Sequence, residues 1–187
     1  RFYTVCVDDF QGAYEGASYL VKCGHLRLGF VDCVRDPPVI QIDRFIGFKK
    51  AIEEYHLDFD DSMRRQLSLV DEAADQAAVE SLVAEHPDVS AIFALDDDVA
   101  VRVVEMLRRA GMDVPGRISV LAPGDMLDYS ACYVPQITTM RIDTTYMGKI
   151  AAQMLHNRIA HNPEELHVLK VKQQLVQRGS VREIIPG

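Results

Sequence analysis

Tryptophan is absent from this 187-residue chain, and aromatic residues make up only 7% of it. The four cysteines, Cys6, Cys23, Cys33 and Cys132, form no CxxC pair and no His stands at zinc-ligand spacing, so neither a disulfide framework nor a structural metal is indicated. Buried free thiols are the expectation. No apolar run approaches the ~20 residues needed to cross a bilayer, and the opening "RFYTVCVDDFQGAY" lacks the basic lead and apolar stretch of a secretory signal. A cytoplasmic chain with no membrane partner is therefore expected. Basic residues are in deficit, 20 Lys and Arg against 28 Asp and Glu, for a net charge of −8. These residues alone should not bind nucleic acid, because phosphate binding needs clustered cations to displace counterions. Also missing are a phosphate-cradling Gly-rich loop, a G-x-S-x-G elbow, and a Lys after a strand end to neutralise a phosphoryl group.

What is present is enough apolar sequence, 48%, for one sizeable core or two small lobes. Short apolar runs, "TVCV" (4–7), "LGFV" (28–31), "LSLV" (67–70), "AIFA" (91–94) and "ISVL" (118–121), alternate with stretches whose apolar positions recur every three to four residues. The helical faces read Ala13, Ala17, Leu20, Val21; Phe45, Phe48, Ile52; Ala74, Ala78, Leu82; and Ala100, Val103, Val104, Leu107. Gly24, Pro87 and Gly111 supply stop signals. Continuous apolar strands between helices predict an α/β fold, a parallel sheet flanked by helices. After residue 122 the rhythm changes to a long loop, a strand at "ITTMRI", a helix N-capped by Asp143, and one or two strands within "LHVLKVKQQLVQRGSV".

An acid follows nearly every run: Asp8, Asp32, Asp71, Asp96 and Asp125. Carboxyl ends of parallel strands open on one edge, where ligands of such folds bind. The plainer reading of an Asp before a helix is an N-cap or a first-turn complement to the dipole. In "LDDDVA" Asp97 and Asp98 fit that second reading best, which leaves Asp96 as the acid expected to face the crevice. A rim of acceptors with an occasional Arg suits a polyhydroxylated ligand. Two or three carboxylates on one Mg²⁺ ion would suit an enzyme instead.

The stretch "DDFQGAYEGASYLVKCGHLRLGFV" (8–31) resembles the effector-binding core of LacI/GalR-family bacterial transcription regulators. Five further stretches match in order: "DRFIGFKKAI", "AIFALDDDVAVRVVEMLRRAGMDVPGRISVL", "PQITTMRID", "MGKIAAQML" and "QLVQRGSV". The resemblance implies a periplasmic-binding-protein-like fold of two lobes, a small effector in the cleft, a sugar or related polyol, and a homodimer that reaches operator DNA through an N-terminal headpiece. On that pattern 8–130 and 165–182 form a complete C-terminal lobe. Residues 1–7 and 135–161 are a remnant of the N-terminal lobe, and the headpiece is absent. The apolar face of helix 143–160 would then need another cover.

By the same resemblance Arg44 falls on the family's effector-contacting arginine and Asp96 on its Asn or Asp that bonds ligand hydroxyls. Arg44 is open to a second reading, tying down the loop after "VRDPPVIQI". Where the family reads G-[FY]-D-[DN], this chain reads "APGD", with Gly124 in place of the first acid and Asp125 retained. Glu72 stands where an aromatic often stacks on the ligand, a face that Tyr129 and Tyr133 are the candidates to replace. The expected ligand-binding set is Arg44, Asp96, Asp125 and Glu72, with no catalytic residue, metal or cofactor. The competing functions are a transport-type sugar-binding protein and a Mg²⁺-dependent enzyme built on Asp96, Asp97 and Asp98.

Overall fold

The computed structural model describes residues 3–34, 39–160 and 168–184. Residues 1–2, 161 and 165–167 of the expected lobe ranges, and residues 35–38 of the loop after Val34, lie outside them. The order is β1 (Thr4–Val7), α1 (Asp9–Lys22), β2 (Leu28–Cys33), α2 (Val39–Glu54), β3 (Arg64–Leu67) and α3 (Glu72–Glu85). There follow β4 (Ala91–Ala94), α4 (Asp97–Arg109), β5 (Ser119–Gly124), β6 (Thr138–Arg141), α5 (Thr144–Ile159), β7 (Val168–Val171) and β8 (Gln174–Val176).

Six strands form one sheet in the order β3-β2-β4-β5-β6-β8, parallel throughout except that β8 runs antiparallel to β6 at one edge. The α/β expectation holds, and β2, β4 and β5 are buried along their whole length, as strands covered on both faces must be. On one face Phe30, Phe48 and Phe93 pack with Ala13, Ala17 and Leu20 of α1. On the other, Val31, Ile92 and Val120 pack with Val79 and Leu82 of α3 and Val103 and Leu107 of α4. Helices α1 and α2 lie close because Gly47 has no side chain to strike the carbonyl oxygen of Phe10. No described helix is long and apolar enough to cross a membrane.

β1 stands apart, paired in parallel with β7 and touched by α5. Sheet membership thus departs from the expected division at two points. Strand β6, expected with the smaller lobe, lies in the six-stranded sheet, and β7, expected with the larger lobe, pairs with β1. The pattern "ITTMRI" shows that a strand exists; only pairing decides its sheet, and Thr138 and Thr139 are fully buried beside β5. On α5 only Met154 is buried, while Tyr146, Leu155 and Ile159 are exposed.

The third strand also departs from expectation, at 64–67 in place of 67–70. Asp75 accepts from Ser68 N at 2.7 Å and Leu69 N at 2.9 Å, and the Ser68 hydroxyl accepts from Val70 N and Asp71 N. Side chains take the amides a ladder would need, so "SLV" turns, with Leu69 at φ 62° and Val70 in solvent. The strand proper carries charge suited to an edge: Arg64 pairs with Asp32 and Arg65 with Glu85. Cys23 and Cys33 are buried and in no disulfide, whereas Cys132 is exposed.

Candidate functional site

The chain leaves β2 toward β3 over one face and leaves β4 toward β5 over the other. Such a switch point opens a crevice outside the strands' carboxyl ends. Here a cavity of about 430 Å³ is lined by Arg44 from α2, Leu95 and Asp96 to Asp98 after β4, Gly124 ending β5, and Ile142 after β6. Val39, Ile40 and Met126 complete its wall.

Arg44 is anchored from below. Its Nε donates to Asp9 Oδ1 at 2.7 Å and its Nη1 to the Leu95 carbonyl at 2.7 Å, both in buried surroundings. The first contact holds α2 to the start of α1, and the second holds α2 to the end of β4. Nη2 has no protein partner among the described residues and is free to serve the cavity. The sequence therefore offered two readings of Arg44, and the geometry accommodates both: a tie, though to Asp9 and Leu95, and a cavity wall.

The three consecutive acids divide their work. Asp96 is the N-cap of α4, accepting from Val99 N at 2.9 Å, and is half-buried in the cavity wall. Asp97, expected as a simple first-turn acid, is buried: its Oδ2 accepts from Met126 N at 2.7 Å, Leu127 N at 3.2 Å and the Tyr129 hydroxyl at 3.5 Å. Burial raises its pKa above the ordinary carboxylate value against the pull of those amides. Asp98 is exposed. Pointing to a cap, a loop and solvent, the three do not converge, and no metal-holding group of His, Cys, Asp or Glu occurs among the described residues.

Of the four expected ligand residues, Arg44 and Asp96 share the cavity, and Asp125 and Glu72 do not line it. Asp125, at φ 70°, turns its carboxylate into a cationic nest. Oδ1 accepts from Arg178 Nη2 at 2.5 Å and Thr139 Oγ1 at 2.9 Å, and Oδ2 accepts from Arg141 Nε. Burial alone would raise its pKa; the hydrogen bonds from Arg141, Arg178 and Thr139 outweigh it and hold the pKa below the usual value. Glu72 begins α3 and pairs with Arg109, exposed in a separate groove along the outer side of α4. Tyr133 lines that same groove, and the Tyr129 ring lies 3.9 Å beneath the Arg178 guanidinium, so neither supplies an aromatic face to the cavity. Its apolar wall is aliphatic instead.

Asp8, Asp71 and Asp143 are also N-caps, of α1, α3 and α5, and Asp32 is fully buried within β2 against Arg64. The rim of acids is therefore mostly capping. No local pattern signals the Asp9 anchor, Arg178, or Asp97's reach to the loop, because each contact joins residues about 30 or more positions apart.

A family model described as a periplasmic binding protein-like domain matches residues 17–181. The chain is 30% identical over 188 residues to the HTH-type transcriptional regulator MalR of Clostridium butyricum, covering 96% of this chain and 53% of that protein. It is 27% identical over 187 residues to the HTH-type transcriptional repressor PurR of Haemophilus influenzae, covering 97% and 55%. Among solved structures, the transcriptional regulator CelR in complex with cellobiose superposes with a TM-score of 0.79 at 25% identity, over 96% of this chain and 54% of that one. A transcription regulator from Lactobacillus plantarum shares the fold with a TM-score of 0.82 at 20% identity, over 96% and 68%. The chain spans about half the length of the curated relatives it matches.

Proposed function

The chain belongs to the periplasmic binding protein-like family, in the form of the effector-binding core of LacI-type regulators, and from that premise we propose that it senses a sugar or related polyol and passes the signal to operator DNA. The observation that carries this reading is the placement of Arg44 and Asp96 on one cavity at the sheet's switch point. Arg44 Nη2 offers donors to ring or hydroxyl oxygens, and Asp96 sets a carboxylate in the same wall. Val39, Ile40 and Met126 offer an apolar surface to the carbon skeleton.

Signalling follows from differential binding. A ligand that touches both lobes of the cleft favours the closed arrangement by its affinity difference between states, and a homodimer converts that shift into altered spacing of DNA-binding headpieces. No bond is made or broken in the effector. Calorimetric titration of the full-length protein with a panel of neutral sugars tests the reading: saturable heats with at least one member are expected, and no binding to any would remove its basis. The 187-residue chain alone should bind the same sugar far more weakly, because a single wall neither encloses the ligand nor excludes water.

A further inference from the structure

We propose that Asp97, and not the retained Asp125, supplies the cavity with the carboxylate acceptor that Gly124 removes; this rests on the effector-sensing reading above. A Cβ built on Gly124 would stand 2.5 Å from Asp97 Oδ1 and 2.8 Å from its Cγ, so Asp97 occupies the space where a side chain at 124 would begin. Gly124 also sits at φ +136°, a conformation that side-chain-bearing residues rarely adopt. The two features exclude an acid at 124 and admit one from α4 in its place.

The Asp97 carboxylate is split in function. Oδ2 takes both loop amides and the Tyr129 hydroxyl, while Oδ1 is the oxygen set against Gly124 at the end of β5. The residue is only 3% exposed, and it lines the cavity beside Gly124 and Asp96. A ligand hydroxyl donating to Oδ1 would make a charge-assisted hydrogen bond in surroundings largely shielded from water. Asp125 cannot do the same, since Arg141, Arg178 and Thr139 already occupy both its oxygens. The ligand chemistry this selects is a neutral molecule with a hydroxyl donor directed at β5's end; a phosphate or carboxylate at that point would meet Asp97 and Asp96 as like charges.

The test uses the Asp97→Asn variant of the full-length protein, titrated with ribose, glucose and cellobiose by calorimetry. An asparagine whose oxygen keeps the loop amides presents its NH₂ to the cavity, so the acceptor becomes a donor in the same space. Affinity for whichever sugar binds the wild type is expected to fall roughly tenfold or more, while the amide resonances of Met126 and Leu127 keep their positions. Glu72→Gln should leave affinity unchanged. A second measurement needs no variant: in the wild type, saturation with the bound sugar should move the Asp97 carboxyl ¹³C resonance. Wild-type affinity in Asp97→Asn, or an unmoved carboxyl resonance in the saturated wild type, overturns the assignment and leaves the sensing reading intact. Absence of binding by the wild type to all three sugars overturns both.

Discussion

Arg44 Nε and Asp9 Oδ1 meet at 2.7 Å with both side chains nearly sealed from water. A second bond from Arg44 to the Leu95 carbonyl makes one guanidinium the clasp between two helices and a strand end. Truncation leaves the Asp9 carboxylate buried and unpaired, which is far costlier than losing a surface pair. Arg44→Ala should lower the unfolding free energy by about 3–5 kcal/mol, read from urea denaturation. Arg44→Lys separates the roles: the ammonium still reaches Asp9 but cannot also present a fork to the cavity. Its stability should fall less than that of Arg44→Ala, with ligand affinity still lost.

Gly124 has neither the backbone conformation nor the space for a side chain. Gly124→Ala combines an unfavourable φ with a collision against Asp97, so it should destabilise by roughly 1–3 kcal/mol from backbone strain alone. The displaced Asp97 would release the amides of Met126 and Leu127 as well. Hydrogen exchange at those two amides should accelerate in the variant; protection equal to that of the parent would show that Asp97 does not fill the space.

Much of this architecture is legible in the sequence because local pattern and burial coincide there. The runs at 28–31, 91–94 and 118–121 become central strands, and the periodic apolar positions after them become the helix faces that cover the sheet. Legibility fails where side chains override pattern. "LSLV" looks like a strand until Asp75, downstream in α3, takes its amides. At the candidate site, the family resemblance points to Arg44, but only the fold shows that Asp125 spends its charge on two arginines and that Asp97 reaches 29 residues along the chain to Met126.

The acids at the strand ends can be sorted by stability against binding. Asp71 caps α3 through Ala74 N at 3.0 Å and does not line the cavity. Asp71→Ala should cost about 1 kcal/mol in a denaturation experiment and leave sugar affinity unaltered. A change in affinity would mean that the rim acts on ligand from farther away than its hydrogen bonds reach.

Glu72 and Arg109 form an exposed pair whose charges are largely screened by solvent. Glu72→Ala should therefore leave the denaturation midpoint close to that of the parent. A large loss of stability would mark the groove beside α4 as organised by this pair, contrary to its exposure.

His25 connects stability to pH. It is fully buried, with Nδ1 2.9 Å from Ser90 Oγ and Nε2 3.1 Å from the Arg182 carbonyl. Because a carbonyl only accepts, Nε2 carries the proton and Nδ1 accepts from the serine hydroxyl. Burial lowers the pKa from 6.5, outweighing the Arg182 carbonyl bond, so the folded state favours the neutral ring. As pH falls through 6.5 the unfolded chain takes up a proton before the folded one does. The contribution of His25 to stability is therefore fully present above 6.5 and is lost toward the lower folded pKa. His25→Gln can retain a donor to the Arg182 carbonyl but cannot titrate. Urea midpoints measured from neutral to mildly acidic pH should decline less steeply in the variant than in the parent, although the variant starts from lower stability. Parallel declines would mean that His25 ionises equally in both states and that the C-terminal segment it touches is not held by the neutral ring.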